Sequence, residues 1–391
     1  MSGLMKNARL RTSALLFFAY AAFGSIGAFL NLFYQEQGMS LVKVGLLASI
    51  PAGMSLLAAP LWAAVADRFN LHRYVLPLTM VLSLPFALLF TSLHTFGQLF
   101  IGICLFSGCY AAIAPLSDNA VLVNLSGRHV DYGRIRLWGS IGVGTLAWIT
   151  GWLVQRLHLS FIFYIYIFFM GIAAIITFRL PKPPHIAVQS YWKSASQFFL
   201  DSRWKRFLLG CLLAGFSQLF LGYYLFIFAK NLGALESTIG FFVAIASATN
   251  IVIFFLMPRI LKRWSALQVM IFSNILLAIR CAITAFIREP NWVILIQVLD
   301  GPTWGTMWAA GVHYANEIAP RGLSASAQAL YNAIFLGLGG IISAGLGGVI
   351  YSYWGAPTLF FIAALMAALS TLVFINHSMV KTILQEALVK E

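Results

Sequence analysis

Charge is what this sequence has least of. Asp, Glu, Lys and Arg make up 9% of its 391 residues, where a soluble globular protein carries about 25%. Acid is scarcest, with 11 Asp and Glu against 25 Lys and Arg. So poorly charged a chain cannot cover a water-facing surface, which excludes a soluble enzyme, a disordered regulator and a nucleic-acid-binding domain. Cysteine is also scarce. Cys104, Cys109, Cys211 and Cys281 all fall inside apolar runs, and none stands at metal-ligand spacing with a histidine. They are read as packing residues, and no metal site is expected. The Gly-rich stretches lack the Lys-Ser/Thr of a phosphate-binding loop, and no zinc motif or nucleophile elbow occurs. These absences argue against ATP-driven transport by this chain and against enzymatic hydrolysis.

What is present is apolar. Hydrophobic residues make up 61% of the chain, and the mean hydropathy is +0.87. A helix crosses a bilayer with about 20 apolar residues, so twelve crossings use roughly 240 and leave about 150 for loops and tails. The long uninterrupted runs exclude a β-barrel, whose strands are short and alternating. Cut at charged or turn-rich stretches, the runs cover 12–35, 42–65, 74–93, 97–126, 134–156, 160–180, 206–230, 237–257, 266–287, 291–318, 324–352 and 356–377. The expected fold is an all-α polytopic membrane protein with twelve transmembrane helices in two six-helix bundles. The run from Thr12 to Gln35 is too long for the core of a cleaved signal peptide, so it reads as the first membrane helix.

The loops alternate in basic content. With the N-terminus inside, every Lys and Arg is cytoplasmic except Lys43, Arg156, Lys230 and Arg288 outside and Arg280 in mid-helix. That asymmetry puts both termini in the cytoplasm. It also accounts for the net charge of +14, because the basic side faces anionic inner-leaflet lipid. The longest polar stretch, Pro181 to Arg206, follows the sixth run. Its prolines, then its mix of basic residues with Trp192, Phe198, Phe199 and Trp204, predict a linker with an interfacial amphipathic helix over 181–205. It separates a six-helix bundle at 1–180 from a second bundle and short tail at 206–391, the layout of a two-half transporter. Repetition agrees: the basic loops at 67–74 and 258–264 stand in equivalent places. Glycines cluster in the fifth run (Gly139, Gly142, Gly144, Gly151) and in the eleventh, where Gly340, Ala344 and Gly348 follow a four-residue spacing.

A charge at the bilayer centre costs about 2.5–3.5 kcal/mol on the insertion scale and persists when it pairs or lines a cavity. Asp118 lies within the fourth run, with Asn119 after it, and Arg136 opens the fifth. One reading has Arg136 reach Asp118 in a solute cavity. The other makes Arg136 a cytoplasmic anchor or a partner of Asp131. Arg280 and Asp300 lie mid-way along the ninth and tenth runs and predict a buried pair, either structural or a proton site. Low dielectric favours the neutral form of a carboxyl and a nearby guanidinium the charged form, so a solute that disturbs the pair changes proton affinity. His313 and Glu317, one turn apart, are either a proton exit or a solvated helix end. Asn31, Gln218, Asn250, Asn274, Gln297, Gln328 and Asn332 are helix-to-helix glue or ligands, with Asn31 and Asn250 taken as solute-binding candidates. Trp138, Trp304 and Trp308 anchor, pack or stack a solute ring, and Trp304 is carried as a candidate.

At these residues the chain resembles the major facilitator superfamily, in its lactose-permease-like branch with the 3-phenylpropionate permeases and nucleoside–proton symporters. The loop Asp67-Arg68-Phe69-Asn70-Leu71-His72-Arg73-Tyr74 resembles the superfamily's cytoplasmic signature, departing at Asn70, where glycine is usual. The stretch Asp131-Tyr132-Gly133-Arg134-Ile135-Arg136-Leu137-Trp138-Gly139 is similar to the start of the branch's helix five. By motif position, Arg136 and Asp118 correspond to residues that contact the sugar in lactose permease. Ala278-Ile279-Arg280 resembles the helix-nine arginine segment, and Gln297-Val298-Leu299-Asp300-Gly301 the helix-ten coupling segment, where histidine normally stands in place of Asp300. Thr303 stands where the proton-carrying Glu would be, Ser247 at the helix-eight carboxylate position, and Asn250 matches a neighbouring asparagine.

The lactose coupling network is therefore not intact, and Asp300, then Asp118, is the remaining proton carrier. The resemblance implies proton-coupled symport of a small organic solute by alternating access. Arg136 and Arg280 suit an aromatic carboxylate. A nucleoside or saccharide is the alternative, as is proton-driven export of drugs or metabolites; a non-transporting receptor is the remote one. Asp118, Asn119, Arg136, Asn31, Asn250 and Trp304 would bind solute, and Asp300, Arg280 and Asp118 would couple protons. Asp67, Arg68, Arg73, Asp131, Arg134, His313 and Glu317 would form a cytoplasmic gate. No cofactor is expected beyond the proton gradient. The expected partners are solute, protons and the lipid bilayer, with no nucleic acid. The chain is expected as a monomer in the bacterial inner membrane.

Overall fold

The computed structural model describes residues 2–69, 74–124, 129–180, 198, 200–320 and 323–389. Among them there is no strand. Helices α1 (Ser2–Gly27) and α2 (Leu30–Glu36) are followed by α3 (Leu41–Phe69), α4 (Val75–Leu89), α5 (Phe96–Asn124), α6 (His129–Arg156) and α7 (Phe161–Phe178). The second half holds α8 (Ser202–Asn231), α9 (Glu236–Arg263), α10 (Ala266–Phe286), α11 (Val293–Val298), α12 (Thr306–Glu317), α13 (Ser324–Asn332) and α14 (Gly339–Val389). Wide π-helical turns link α11 to α12 (Gly301–Gly305) and α13 to α14 (Ala333–Leu338). Most of the linker expected over 181–205 lies outside the described residues; Phe198, within it, packs edge-on against buried Trp204 at 4.6 Å.

Ten helices among the described residues are long and apolar enough to cross a membrane. The last, Ser326–His377, runs for 52 residues, about 78 Å at 1.5 Å per residue and more than twice a hydrocarbon core of about 30 Å. It breaks at Gly355, whose φ of +83° is left-handed backbone that only glycine adopts freely. Gly38 (φ +77°) and Gly233 (φ +94°) close the turns after α2 and α8, at equivalent places in the two halves. Large apolar side chains face outward within the helices, Phe168 at 64% exposed and Ile101 at 63%, as lipid-facing surfaces do and water-facing ones rarely do. The chain is a multi-pass helical membrane protein.

Among the described residues, the halves make close contacts toward one end. Helix α6 packs on α9, and α3 on α14, a pairing that exchanges equivalent helices of the two halves. A Cβ at Gly240 would strike the Ala147 carbonyl, one at Gly348 the Leu41 carbonyl, and one at Gly45 the Ala344 carbonyl. All three contacts lie toward the end that carries Gly38 and Gly233. Tyr224 donates to the Ala344 carbonyl, and Asn31 donates across the halves to the Tyr223 carbonyl at 3.1 Å. The largest core joins both halves there, whereas Phe207, Met257, Met307, Tyr331 and Phe374 form a core of the second half alone toward the opposite, basic end. Gly240→Leu is expected to cost about 1–3 kcal/mol by overpacking, read as a lowered thermal midpoint in detergent. Gly171→Leu, with open space around its Cβ, should leave the midpoint unchanged.

Candidate functional site

Among the described residues two acid–arginine pairs lie within the helices, and they are built differently. In the first half, α5 supplies Asp118 and α6 supplies Arg136. Arg136 Nε lies 3.7 Å from Asp118 Oδ1, and the two side chains are 31% and 29% exposed. That exceeds the 2.7–2.9 Å of a closed charge-assisted hydrogen bond. Tyr20, from α1, joins the group: its hydroxyl donates to Asp118 Oδ2 at 3.5 Å, and its ring lies 4.1 Å from the Arg136 guanidinium. Asn119 is exposed beside Asp118.

In the second half the pair is closed and buried. Arg280 Nη1, on α10, donates to Asp300 Oδ1 at 2.8 Å and to Thr303 Oγ1 at 2.7 Å. Its Nη2 donates to Gln297 Oε1 at 2.9 Å. Asn250, from α9, donates to the other Asp300 oxygen at 2.7 Å. The Arg280 side chain is 2% exposed while Asp300 keeps 17%, so the acid is the member that solvent reaches. The geometry around it is local. Asp300 immediately precedes the wide turn Gly301–Gly305. Gly301 donates its N–H to Thr249 Oγ1 at 3.1 Å, and Ser273 donates to the Thr303 carbonyl at 2.7 Å. A Cβ at Gly301 would hit the Thr249 backbone, so glycine lets α9 lie against the turn. Such turns recur at functional positions in helices.

Trp304 stacks on Trp308 with ring centres 5.9 Å apart and planes at 16°, and both meet Phe335 on the second wide turn. Asn31 is engaged at the contact between the halves, and Asn250 belongs to the Asp300 group. Arg68 is exposed, its guanidinium 5.9 Å from the Phe69 ring. His313 and Glu317 are both exposed near the end of α12. Arg73 and the side chains of Asp67, Asp131 and Arg134 lie outside the described residues. Three contributors to the two groups carried no sequence signal strong enough to select them: Tyr20, Thr249 and Ser273; Thr303 was marked only by its place in the helix-ten segment. Gln297 was one polar candidate among several.

Residues 9–363 match the MFS_1 like family. The chain is 27% identical over 350 residues to the maltose permease of Geobacillus stearothermophilus, covering 88% of this chain and 89% of that protein. It is 27% identical over 374 residues to the Escherichia coli (strain K12) protein named "Probable 3-phenylpropionic acid transporter", covering 91% and 95%. Its fold is similar to the crystal structure of the nucleoside transporter NupG, with a TM-score of 0.81 at 18% identity, covering 95% of this chain and 99% of that one.

Proposed function

Since the chain belongs to the MFS_1 like family of membrane transporters, within the major facilitator superfamily, we propose that it is a proton-coupled symporter of a small organic solute that works by alternating access. The observation that carries this is the contrast between the two pairs. A loose pair whose side chains are each about a third exposed lies where a solute can reach it. A closed pair with a partly exposed acid is suited to exchange one proton, because protonating Asp300 weakens its hold on Arg280 and Asn250. Twelve crossings follow if the 52-residue stretch is divided at Gly355 and Val293–Glu317 is taken as one crossing. They form two six-helix bundles, 1–180 and 206–391. The basic loops put both termini on the cytoplasmic side of a bacterial inner membrane. The contacts at the Gly38 and Gly233 end then lie on the outer side of the carrier. The working unit is one chain, with no cofactor beyond the proton gradient.

A small aromatic carboxylate is the first solute to try. Arg136 is the partly exposed cation, the Trp304–Trp308 stack offers a ring face, and one relative is named for 3-phenylpropionic acid. A second reading has its own observation: each guanidinium already faces a carboxylate, so the site is charge-balanced and suits a neutral solute. A maltose permease and a nucleoside transporter among the similar proteins favour that reading. The test is uptake of labelled 3-phenylpropionate, maltose and uridine into proteoliposomes with an imposed proton gradient. Removing a hydrogen bond to a charged group costs about 1.5–3 kcal/mol. Arg136→Ala is therefore expected to lower uptake of the carried solute about 10–100-fold at sub-saturating concentration. Undiminished uptake by Arg136→Ala contradicts the solute site. Inside-out vesicles under the same gradient separate import from export.

A further inference from the structure

We infer that Asn250 is a positioning residue for proton coupling: its amide ties the protonation state of Asp300 to α9, the helix of the second half that lies against α6 of the first. The inference rests on the reading of Asp300 as the proton carrier.

Asp300 uses its two oxygens differently. Oδ1 holds Arg280 Nη1 at 2.8 Å, and Oδ2 takes an N–H of Asn250 at 2.7 Å. Arg280 is the charged group that faces the acid from α10, and α9 faces it with the uncharged Asn250. A proton therefore goes to Oδ2, the oxygen away from the guanidinium. Oδ2 is then a donor facing the Asn250 Nδ2, which is also a donor, so the bond between them is lost. The amide has an acceptor at its other end. Asn250 Oδ1 is buried and has no hydrogen-bond partner among the described residues. Rotation about the Cβ–Cγ bond brings that oxygen to Asp300, where it accepts from the protonated acid.

The rotation leaves little unpaired behind it. Nδ2 also donates to the Ala246 carbonyl at 2.9 Å, and that carbonyl keeps the Thr249 hydroxyl, likewise at 2.9 Å. Gly305 provides the room, since a Cβ there would come within 2.5 Å of Asn250 Oδ1. One side chain thus has a bonded setting for each protonation state of Asp300. What the setting acts on follows from α9. Ser247, one turn before Asn250, lies where the halves touch: a Cβ at Gly144 of α6 would come within 2.8 Å of the Ser247 Cβ. Thr249 adds a second tie, accepting the N–H of Gly301, next to Asp300, at 3.1 Å. Asn250 therefore stands between the acid and a contact that must part when the halves move. Small shifts at such a place are amplified where a packed interface has two arrangements.

The test is steady accumulation of label in proteoliposomes under an imposed proton gradient, with whichever of 3-phenylpropionate, maltose and uridine the wild type carries. Asn250→Leu keeps a similar shape and removes both ends of the amide. Losing a hydrogen bond to a charged group should weaken the preference for the protonated carrier about 10–100-fold, so accumulation should fall at least about tenfold below wild type. Gly305→Ala leaves Asn250 in place, crowds its amide and should lower accumulation too. A merely structural role would slow transport or lower the thermal midpoint, but a slow carrier that is still coupled reaches the wild-type ratio given time. Counterflow without a gradient identifies the variants that still carry solute. Wild-type accumulation in Asn250→Leu overturns the inference, and a raised KM with accumulation kept makes Asn250 a solute ligand instead. Where Asn250→Leu shows no counterflow, Gly305→Ala decides in the same way. Asp300→Asn measured alongside keeps the two ideas apart. If it accumulates solute normally, the proton-carrier reading itself has failed. If it does not and Asn250→Leu does, only the role of Asn250 has.

Discussion

Asp300→Asn carriers are expected to exchange solute across a membrane and to fail to concentrate it. The substitution keeps the shape and an oxygen for Arg280 Nη1, which now donates to Asp300 Oδ1 at 2.8 Å. What it removes is the proton. A gradient of two pH units is worth about 2.7 kcal/mol per proton, which sustains about 100-fold accumulation for one proton per solute. Wild-type vesicles should approach that ratio. The variant should stop near equal concentrations, while counterflow without a gradient stays within a few-fold of wild type. If the Arg280–Asp300 pair is only structural, a folded Asp300→Asn carrier accumulates solute normally.

Removing the other partner has its largest effect on stability. Arg280→Leu takes away a guanidinium that donates to Asp300, Thr303 and Gln297. The acid then remains in a largely buried site without its cation, a loss of about 3–5 kcal/mol for pairs of this kind. A sharply lowered thermal midpoint in detergent is the expected result. Adding Asp300→Asn removes the stranded charge and should recover part of the loss. The double-mutant cycle should show a coupling of about 0.5–3 kcal/mol, the range for residues in one network. Strict additivity would mean that the two side chains do not depend on each other.

Composition and charge placement carried most of the architecture. Runs of apolar residues mark where helices lie because lipid forces backbone hydrogen bonds to close within each helix. They mark the ends less well: α6 starts at His129 and α9 continues to Arg263, beyond the apolar runs that begin at 134 and end at 257. Backbone hydrogen bonding carries a helix on past its apolar stretch, and basic residues are at home there. The two wide turns were hidden in a different way. Gly301 and Pro302 hint at a break, but the turn is also packed by neighbours that the sequence does not bring together, here the Thr249 backbone against Gly301 and Ser273 donating to the Thr303 carbonyl. Nothing in the spacing of α13 announces the turn at Ala333–Leu338.

The candidate site was legible where charge is out of place. Asp118, Arg136, Arg280 and Asp300 stand out because ionised groups are rare in apolar runs. Their partners do not. Tyr20 is one of 14 tyrosines, and in a helix of phenylalanines and alanines its pattern is that of a packing residue. Thr249, Ser273 and Thr303 look like the small polar residues that membrane helices use wherever they pack closely. The sequence offers Asn250 as a ligand for solute, and its donation to Asp300 appears only once α9 and the stretch after α11 lie side by side.

The most direct measurement is proton movement itself. Proteoliposomes holding wild-type protein and an interior pH dye, with no gradient imposed, are given external solute, run in parallel with 3-phenylpropionate, maltose and uridine. The carried solute should acidify the interior as it enters, and Asp300→Asn vesicles preloaded with the same unlabelled solute should take up label by exchange with no acidification. Solute entry into wild-type vesicles without acidification would contradict proton-coupled symport, and acidification that persists in Asp300→Asn would move the coupling site away from Asp300.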